Sequence, residues 1–266
     1  MRGSLIAAVL LTGCVAPDPG ATRIIGHGGM GPDHETPMNS AESLLAALTS
    51  GADGIELDAQ LTSDGVLVAY HAADLSELTG CDGKVNSTPW NQLMDCPVRH
   101  NGKAFSIVRI DSLLLELGQR YPEADFTLDC KLFAQDDWWA YLHAFTDAVI
   151  ALDNSPVLSG RILIDCQTSD FIQLIISKKP GISAYLYLTD MNGGAEQALS
   201  LGCAGLTIAY DRITDEELAD ARRRGLKVSL FGTQGVRAHR RAFRKKPDRL
   251  QTDQPQYAVG LRTFKD

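Results

Sequence analysis

The feature that most constrains this chain is a regular alternation of apolar, strand-like runs with segments of helical period. The strand-like runs are residues 23–27, 54–61, 66–71, 126–131, 161–165, 183–188, 205–209, 227–232 and 249–252. Residues 40–49, 111–121, 137–152, 169–177, 194–201, 215–224 and 236–244 carry apolar side chains at helical spacing. Strand alternating with helix predicts parallel strands. One connection breaks the pattern. Only Thr62, Ser63, Asp64 and Gly65 separate the second run from the third, too few for a parallel crossover, so this pair reads as an antiparallel hairpin. Eight parallel strands remain, the number that closes a barrel, and 266 residues is a fitting length. The expected fold class is therefore α/β, a (β/α)8 TIM-type barrel with an antiparallel hairpin and a short insertion after the second barrel strand. An open doubly wound sheet is the alternative. It usually brings a glycine-rich phosphate loop, and Gly26-His27-Gly28-Gly29 lacks that spacing. Residues 72–109 are rich in turn residues and poor in periodicity, which marks the insertion.

The first residues read as a targeting segment. Met1-Arg2 give a positive start, residues 5–11 a short apolar run, and Leu11-Thr12-Gly13-Cys14 close it with small residues and a cysteine. The pattern resembles a bacterial lipoprotein signal cut before Cys14, which would then carry lipid. The run is too short to span a bilayer. Residues 15–21 read as a tether and 22–266 as a single barrel domain. The expected location is exported, held by a lipid anchor to a bacterial membrane at its periplasmic face. Export shapes the cysteine reading. Cys81 and Cys96 flank a polar, turn-rich stretch and are the expected disulfide. Cys130 and Cys166 lie in apolar runs and are expected as buried thiols. No cysteine spacing matches a zinc site.

Hydrophobic residues make up 44% of the chain, enough for a large core, and a net charge of −8 argues against a nucleic-acid partner. The basic cluster from Arg237 to Arg249 reads as a solvated helix face. Arg222-Arg223-Arg224 before Gly225 reads as a last helical turn with its glycine cap.

Barrel enzymes place their chemistry at the C-terminal ends of the strands, and that rule selects residues here. His27 ends the first run, ahead of two glycines that let backbone approach a ligand. Glu56 and Asp58 are two apart on a strand, so both point to one face while Ile55 and Leu57 point to the other. The apolar pair suits the helix layer, which turns the carboxylates inward. Two adjacent carboxylates in a low dielectric persist by sharing a proton or by binding a cation. An all-oxygen set favours a hard divalent cation, Mg²⁺ or Ca²⁺. A polar plug paired with Lys or Arg is the bland alternative. His71 ends the hairpin arm, and a short turn folds it back over the same mouth. Two histidines near one cation make an acid–base pair. Asp129 and Lys131 repeat the two-apart logic on a later strand: Asp129 could complete the metal's ligands and Lys131 could bind an anion, or the two could form a salt bridge.

This set resembles the glycerophosphodiester phosphodiesterase family, from Ile24 to about Tyr257. The family's His-Arg-Gly stands here as His27-Gly28-Gly29, and its Glu-Asn-Thr as Met38-Asn39-Ser40. Its Gly-x-x-Gly-x-Glu-x-Asp run, with a following Thr-x-Asp-Gly, stands as Gly51 to Asp58 and Thr62 to Gly65. Its strand ending in His-Asp is matched by residues 66–71, and its Thr-Asp-x-Pro by Thr252-Asp253-Gln254-Pro255. The resemblance implies His27 and His71 as the acid–base pair. It implies Glu56, Asp58 and Asp129 as metal ligands and Lys131 as a phosphate contact. The implied substrate is a small phosphodiester, classically a glycerophosphodiester, cleaved to glycerol 3-phosphate and an alcohol. Four positions depart from the pattern: Gly28 for Arg, Met38 for Glu, Ala72 for Asp and Asp129 for Glu. An Arg fork grips phosphate bidentately, whereas glycine offers only backbone. A barrel lyase that stops at a cyclic phosphate, as in the related phospholipase-D toxins, and a lipid-anchored binding protein without turnover are the alternatives.

Overall fold

The structure, a computed structural model, describes residues 22–133 and 136–263. The segment containing Cys14 and the tether of residues 15–21 lie outside the described residues. In chain order the strands are β1 (Arg23–Gly26), β2 (Gly54–Leu61), β3 (Leu67–Ala69), β4 (Val98–His100), β5 (Lys103–Phe105), β6 (Val108–Arg109), β7 (Asp125–Cys130), β8 (Ile162–Cys166), β9 (Ser183–Leu188), β10 (Gly205–Ala209), β11 (Lys227–Thr233) and β12 (Arg249–Thr252). The helices are α1 (Ala41–Thr49), α2 (Trp90–Leu93), α3 (Ile110–Arg120), α4 (Trp138–Asp153), α5 (Ser169–Lys178), α6 (Gly194–Ser200), α7 (Asp215–Arg223), α8 (Gly235–Arg244) and α9 (Pro255–Thr263). Parallel pairing runs β1–β12–β11–β10–β9–β8–β7–β2, and a β1–β2 pairing closes the ring. The expected eight-stranded barrel is therefore the observed fold.

Strand β2 shows why the ring closes. All eight of its residues are buried, as expected of a parallel strand covered on both faces. Ile55, Leu57, Ala59 and Leu61 join the main apolar core with Leu44 and Leu48 of α1. Glu56, Asp58 and Gln60 point the other way, into the barrel, and are equally buried. Helix starts follow local chemistry. Ser40 accepts from Ser43 N to open α1, and Thr214 with Glu217 forms a capping box on α7.

The hairpin turn at residues 62–65 is present, and β3 pairs antiparallel with β2. The insertion adds what periodicity did not reveal, a small β4–β5 hairpin. It has its own apolar cluster, in which Tyr70, Leu75, Val85, Leu93 and Ile107 pack together. Cys81 and Cys96 form the expected disulfide within it, and Cys130 and Cys166 are buried free thiols. Helix α9 was not read from the sequence, because its apolar residues are few and follow a strand directly.

The basic cluster divides. Arg237, Arg240, Arg241 and Arg244 are exposed on α8 as expected. Arg249 is not on that face. It starts β12, is 6% exposed, and reaches across the barrel floor to both carboxylate oxygens of Asp125 and to Thr127 Oγ1. A charge in the first position of a barrel strand can turn inward, which a reading of the cluster as one face missed.

Two stability outcomes follow from this layout. Arg249→Met should cost about 3 kcal/mol in urea unfolding, the scale for breaking a buried pair, because among the described residues Asp125 then keeps only the half-exposed Arg23 as ion-pair partner. Replacing both Cys81 and Cys96 by Ala opens a loop of sequence separation 15, a loss of about 3 kcal/mol in chain-entropy terms. Limited proteolysis should then cut within residues 72–109 before the barrel unfolds; equal protease resistance of the double variant would refute this.

Candidate active site

The loop after β1 is built to hold His27. Its backbone N–H donates to Thr252 O, and Gly31 N–H donates to His27 O. Gly28 and Gly29 both have positive φ, at +51° and +91°, a region that glycine enters without strain. A Cβ on Gly29 would lie 2.4 Å from the Ser43 backbone, so only glycine lets the loop press onto α1. The His27 ring then sits with Nδ1 2.6 Å from Asp253 Oδ1 and Nε2 4.0 Å from Glu56 Oε2. Burial acts against the imidazolium. The Asp253 hydrogen bond and the charges of Glu56, Asp253 and Asp58 outweigh it and raise the pKa to about 9. For Asp253, burial is offset by the same bond to His27, which holds its carboxyl below the usual range.

Glu56 and Asp58 share the inner face of β2, and Asp129 lies beside them on β7, in register with Asp58. One oxygen from each of the three falls within 4.8 Å of the others. Glu56 Oε2 accepts from Gly28 N at 2.7 Å, while buried Glu56 Oε1 has no hydrogen-bond partner among the described residues. Burial, then the Asp58 charge, lifts Glu56 to about 8. Burial also raises Asp129, against the pull of Lys131. An orphaned buried oxygen within an all-oxygen trio is what a hard cation would satisfy. The residues present therefore fit a divalent ion.

Lys131 Nζ lies 2.6 Å from Asp129 Oδ2 and 3.1 Å from Asp58 Oδ1. The ammonium is held as a counter-ion to two carboxylates, which raises its pKa despite burial. The salt bridge considered from sequence thus exists, and it includes Asp58 as well.

His71 stands two residues beyond the end of β3 and is exposed. Its backbone is fixed on both sides. Tyr70 N–H donates to Asp58 O, and buried Gln60 donates from Nε2 to Tyr70 O at 2.7 Å and Ala72 O at 2.8 Å. The strand carrying Glu56 and Asp58 thereby also positions His71.

Three contributors were not assigned roles from sequence. Asp253 orients His27. Asn39, in a left-handed conformation at φ 66° that Asn tolerates, clamps Asp58: its Nδ2 donates to Asp58 Oδ2 at 2.6 Å and its Oδ1 accepts from Asp58 N at 2.9 Å. Both lie in motif matches, so their signal was position in a motif rather than chemistry. Asp165, fully buried beside Asp129 on β8, is the third. Burial raises its pKa well above the usual range, and nothing in its local sequence marks it.

A closed barrel carrying paired inward carboxylates, a third from a later strand and a histidine oriented by Asp253 defines the barrel type of metal-site hydrolase. The profile of the glycerophosphoryl diester phosphodiesterase family matches residues 27–257, and the chain belongs to that family of phosphoric diester hydrolases. A glycerophosphodiester phosphodiesterase of Caldanaerobacter subterraneus is 23% identical over 243 residues, covering 90% of this chain and 97% of that protein. A solved structure from Silicibacter pomeroyi superposes with TM-score 0.82 at 20% identity, covering 92% of this chain and 94% of that one. An Oleispira antarctica phosphodiesterase, solved with the product sn-glycerol-3-phosphate, gives TM-score 0.73 at 20% identity and covers 90% of this chain and 96% of that one.

The departures at Gly28 and Met38 are spatially one feature. A Cβ on Gly28 would meet Met38 Cε at 2.5 Å and Met38 Cβ at 2.7 Å. Gly28→Ala should therefore destabilise the fold, and Met38→Ala should relieve part of that loss. A double-mutant cycle should give a coupling of about 1 kcal/mol; additive losses would separate the two positions.

Proposed function

We propose that this chain hydrolyses a glycerophosphodiester to glycerol 3-phosphate and an alcohol. The observation that carries the reading is the carboxylate trio lying against His27, with Asp253 behind the ring. Glu56, Asp58 and Asp129 would hold the divalent ion, Mg²⁺ or Ca²⁺. Bound there, it would polarise the phosphoryl oxygens and neutralise charge that builds on them.

The remaining work falls to the chain's own groups. With Nδ1–H donated to Asp253, the proton-exchanging atom of His27 is Nε2, which faces Glu56 and the mouth. An imidazole oriented by a third group in this way exchanges its proton at one nitrogen. His71, held by the Gln60 clamp, supplies the second acid–base group. One histidine withdraws the proton from the attacking oxygen, either water or the neighbouring glycerol hydroxyl. A new P–O bond forms, the ester P–O bond breaks, and the other histidine delivers a proton to the departing alcohol. If the glycerol hydroxyl attacks first, water opens the cyclic phosphate in a second pass. Lys131, now paired with Asp129 and Asp58, would turn toward a phosphoryl oxygen if a cation shared those carboxylates.

We also infer that the protein is exported and anchored through lipid on Cys14. The Cys81–Cys96 disulfide supports an oxidising compartment. No helix among the described residues is long and apolar enough to cross a membrane.

With glycerophosphocholine or glycerophosphoethanolamine as substrate, His27→Ala and His71→Ala should each lower kcat by about 100-fold or more. A chelator should stop turnover, and added Mg²⁺ or Ca²⁺ should restore it. Full activity in either variant would sink the acid–base assignment. Phosphorus NMR distinguishes a monoester product from an accumulating cyclic phosphate. Labelled fatty acid should enter the full chain and not Cys14→Ala; equal labelling would remove the anchor.

A further inference from the structure

A second, apolar space adjoins the catalytic mouth. A cavity of about 220 Å³ lies between the loop ahead of α1 and the inserted β4–β5 hairpin. Met38, Tyr70, Leu78, Val98, Phe105 and Ile107 form its walls, and it meets the site at Asn39 and His71. An apolar cavity of ~150 Å³ is enough to take up benzene, so this one holds a ring or a short stretch of hydrocarbon.

Its charges are one-sided. No Asp or Glu lines it. Arg99, on β4, is exposed and its guanidinium has no partner among the described residues. His100 is tied by Nε2 to His34 O, which leaves that nitrogen as a donor. A quaternary or primary ammonium would enter without a counter-charge and beside a guanidinium. The departures from the family pattern point the same way. Glutamate at position 38 would put a carboxylate in this wall. Here Met38 folds over Gly28 and makes the wall hydrocarbon.

We propose that this cavity seats an apolar substituent of the phosphodiester, an acyl, alkyl or aryl group, and that the chain prefers such diesters to those carrying a cationic amino-alcohol. The inference rests on the hydrolase reading above and names the substrate class of that same site. The substituent has two sources: the alcohol that departs, or a chain carried on the glycerol. Each buried methylene is worth about fourfold in affinity, so a few suffice to set a preference.

The test measures kcat/KM of the full chain with a divalent cation on three diesters. Glycerophosphocholine carries the cation, glycerophospho-2-phenylethanol an apolar leaving alcohol of ordinary acidity, and octanoyl-glycerophosphoglycerol an apolar chain on the glycerol. At least one apolar diester should exceed glycerophosphocholine by about tenfold or more, and which one does so identifies the source. Leu78→Trp, which fills the cavity from its rim, should cut that ratio by about tenfold. Arg99→Glu, at an exposed position that the fold does not need, should swing the ratio toward glycerophosphocholine. Glycerophosphocholine turned over as well as both apolar diesters, or a ratio that neither variant moves, overturns the proposal. If no diester is turned over, the hydrolase reading fails by itself. Calorimetric binding of octyl phosphate then decides the cavity: saturable binding weakened in Leu78→Trp supports it, and absence of binding overturns it.

Discussion

Three carboxylates from two neighbouring strands, with one oxygen from each inside 4.8 Å, are the constraint around which the barrel mouth is arranged. Such a cluster is unfavourable in a low dielectric unless charge or protons offset it. The chain supplies Lys131 on Asp58 and Asp129, a backbone N–H on Glu56, and the imidazole of His27. These are too few for Asp165 as well, and Glu56 and Asp165 respond with raised pKa values. The positive charge still wanted is what a divalent cation would bring.

Much of the site's support passes through β2. Glu56, Asp58 and Gln60 alternate along its inner face. Asn39 clamps Asp58 from the loop before α1, and Gln60 clamps the chain on both sides of His71. The antiparallel hairpin explains how the carboxylates of β2 and His71, close in sequence, are held by one strand: a four-residue turn sends the chain straight back along β2. Asp253 comes from the far end of the chain because β12 is the neighbour of β1 in the closed ring. Ring closure thus brings residues 27 and 253 together, and a hydrogen bond of 2.6 Å records it.

Much of this was legible in the sequence. Apolar runs alternating with helical patterning gave all eight barrel strands, since parallel strands covered on both faces are nearly continuous apolar runs. The inward direction of Glu56 and Asp58 followed from Ile55 and Leu57 alone. What did not show was whatever depends on closure or on irregular backbone. Asp165 is a lone acid in an apolar run. Arg249 looks like part of a surface cluster until the strand turns it inward. The β4–β5 hairpin is too short and too polar for a periodic signal, and its small core depends on residues spread from Tyr70 to Ile107. Asn39 and Asp253 were visible as motif letters, but their partners lie 19 and 226 positions away.

The exchange of charge for hydrocarbon at positions 28 and 38 bears on both halves of the site. An Arg at 28 would bring a permanent cation to the loop that touches Glu56; glycine leaves only its N–H on that carboxylate. Compensation of the carboxylates then rests more heavily on Lys131 and His27. Met38, filling the room a side chain at 28 would need, gives the adjoining cavity an apolar wall. A loss that looks from sequence like weakened phosphate anchoring is, in three dimensions, a repacking of charge against apolar surface. Under the proposed function, phosphate recognition would fall to the cation and Lys131, and the walls around His71 would be free to discriminate what the phosphate carries.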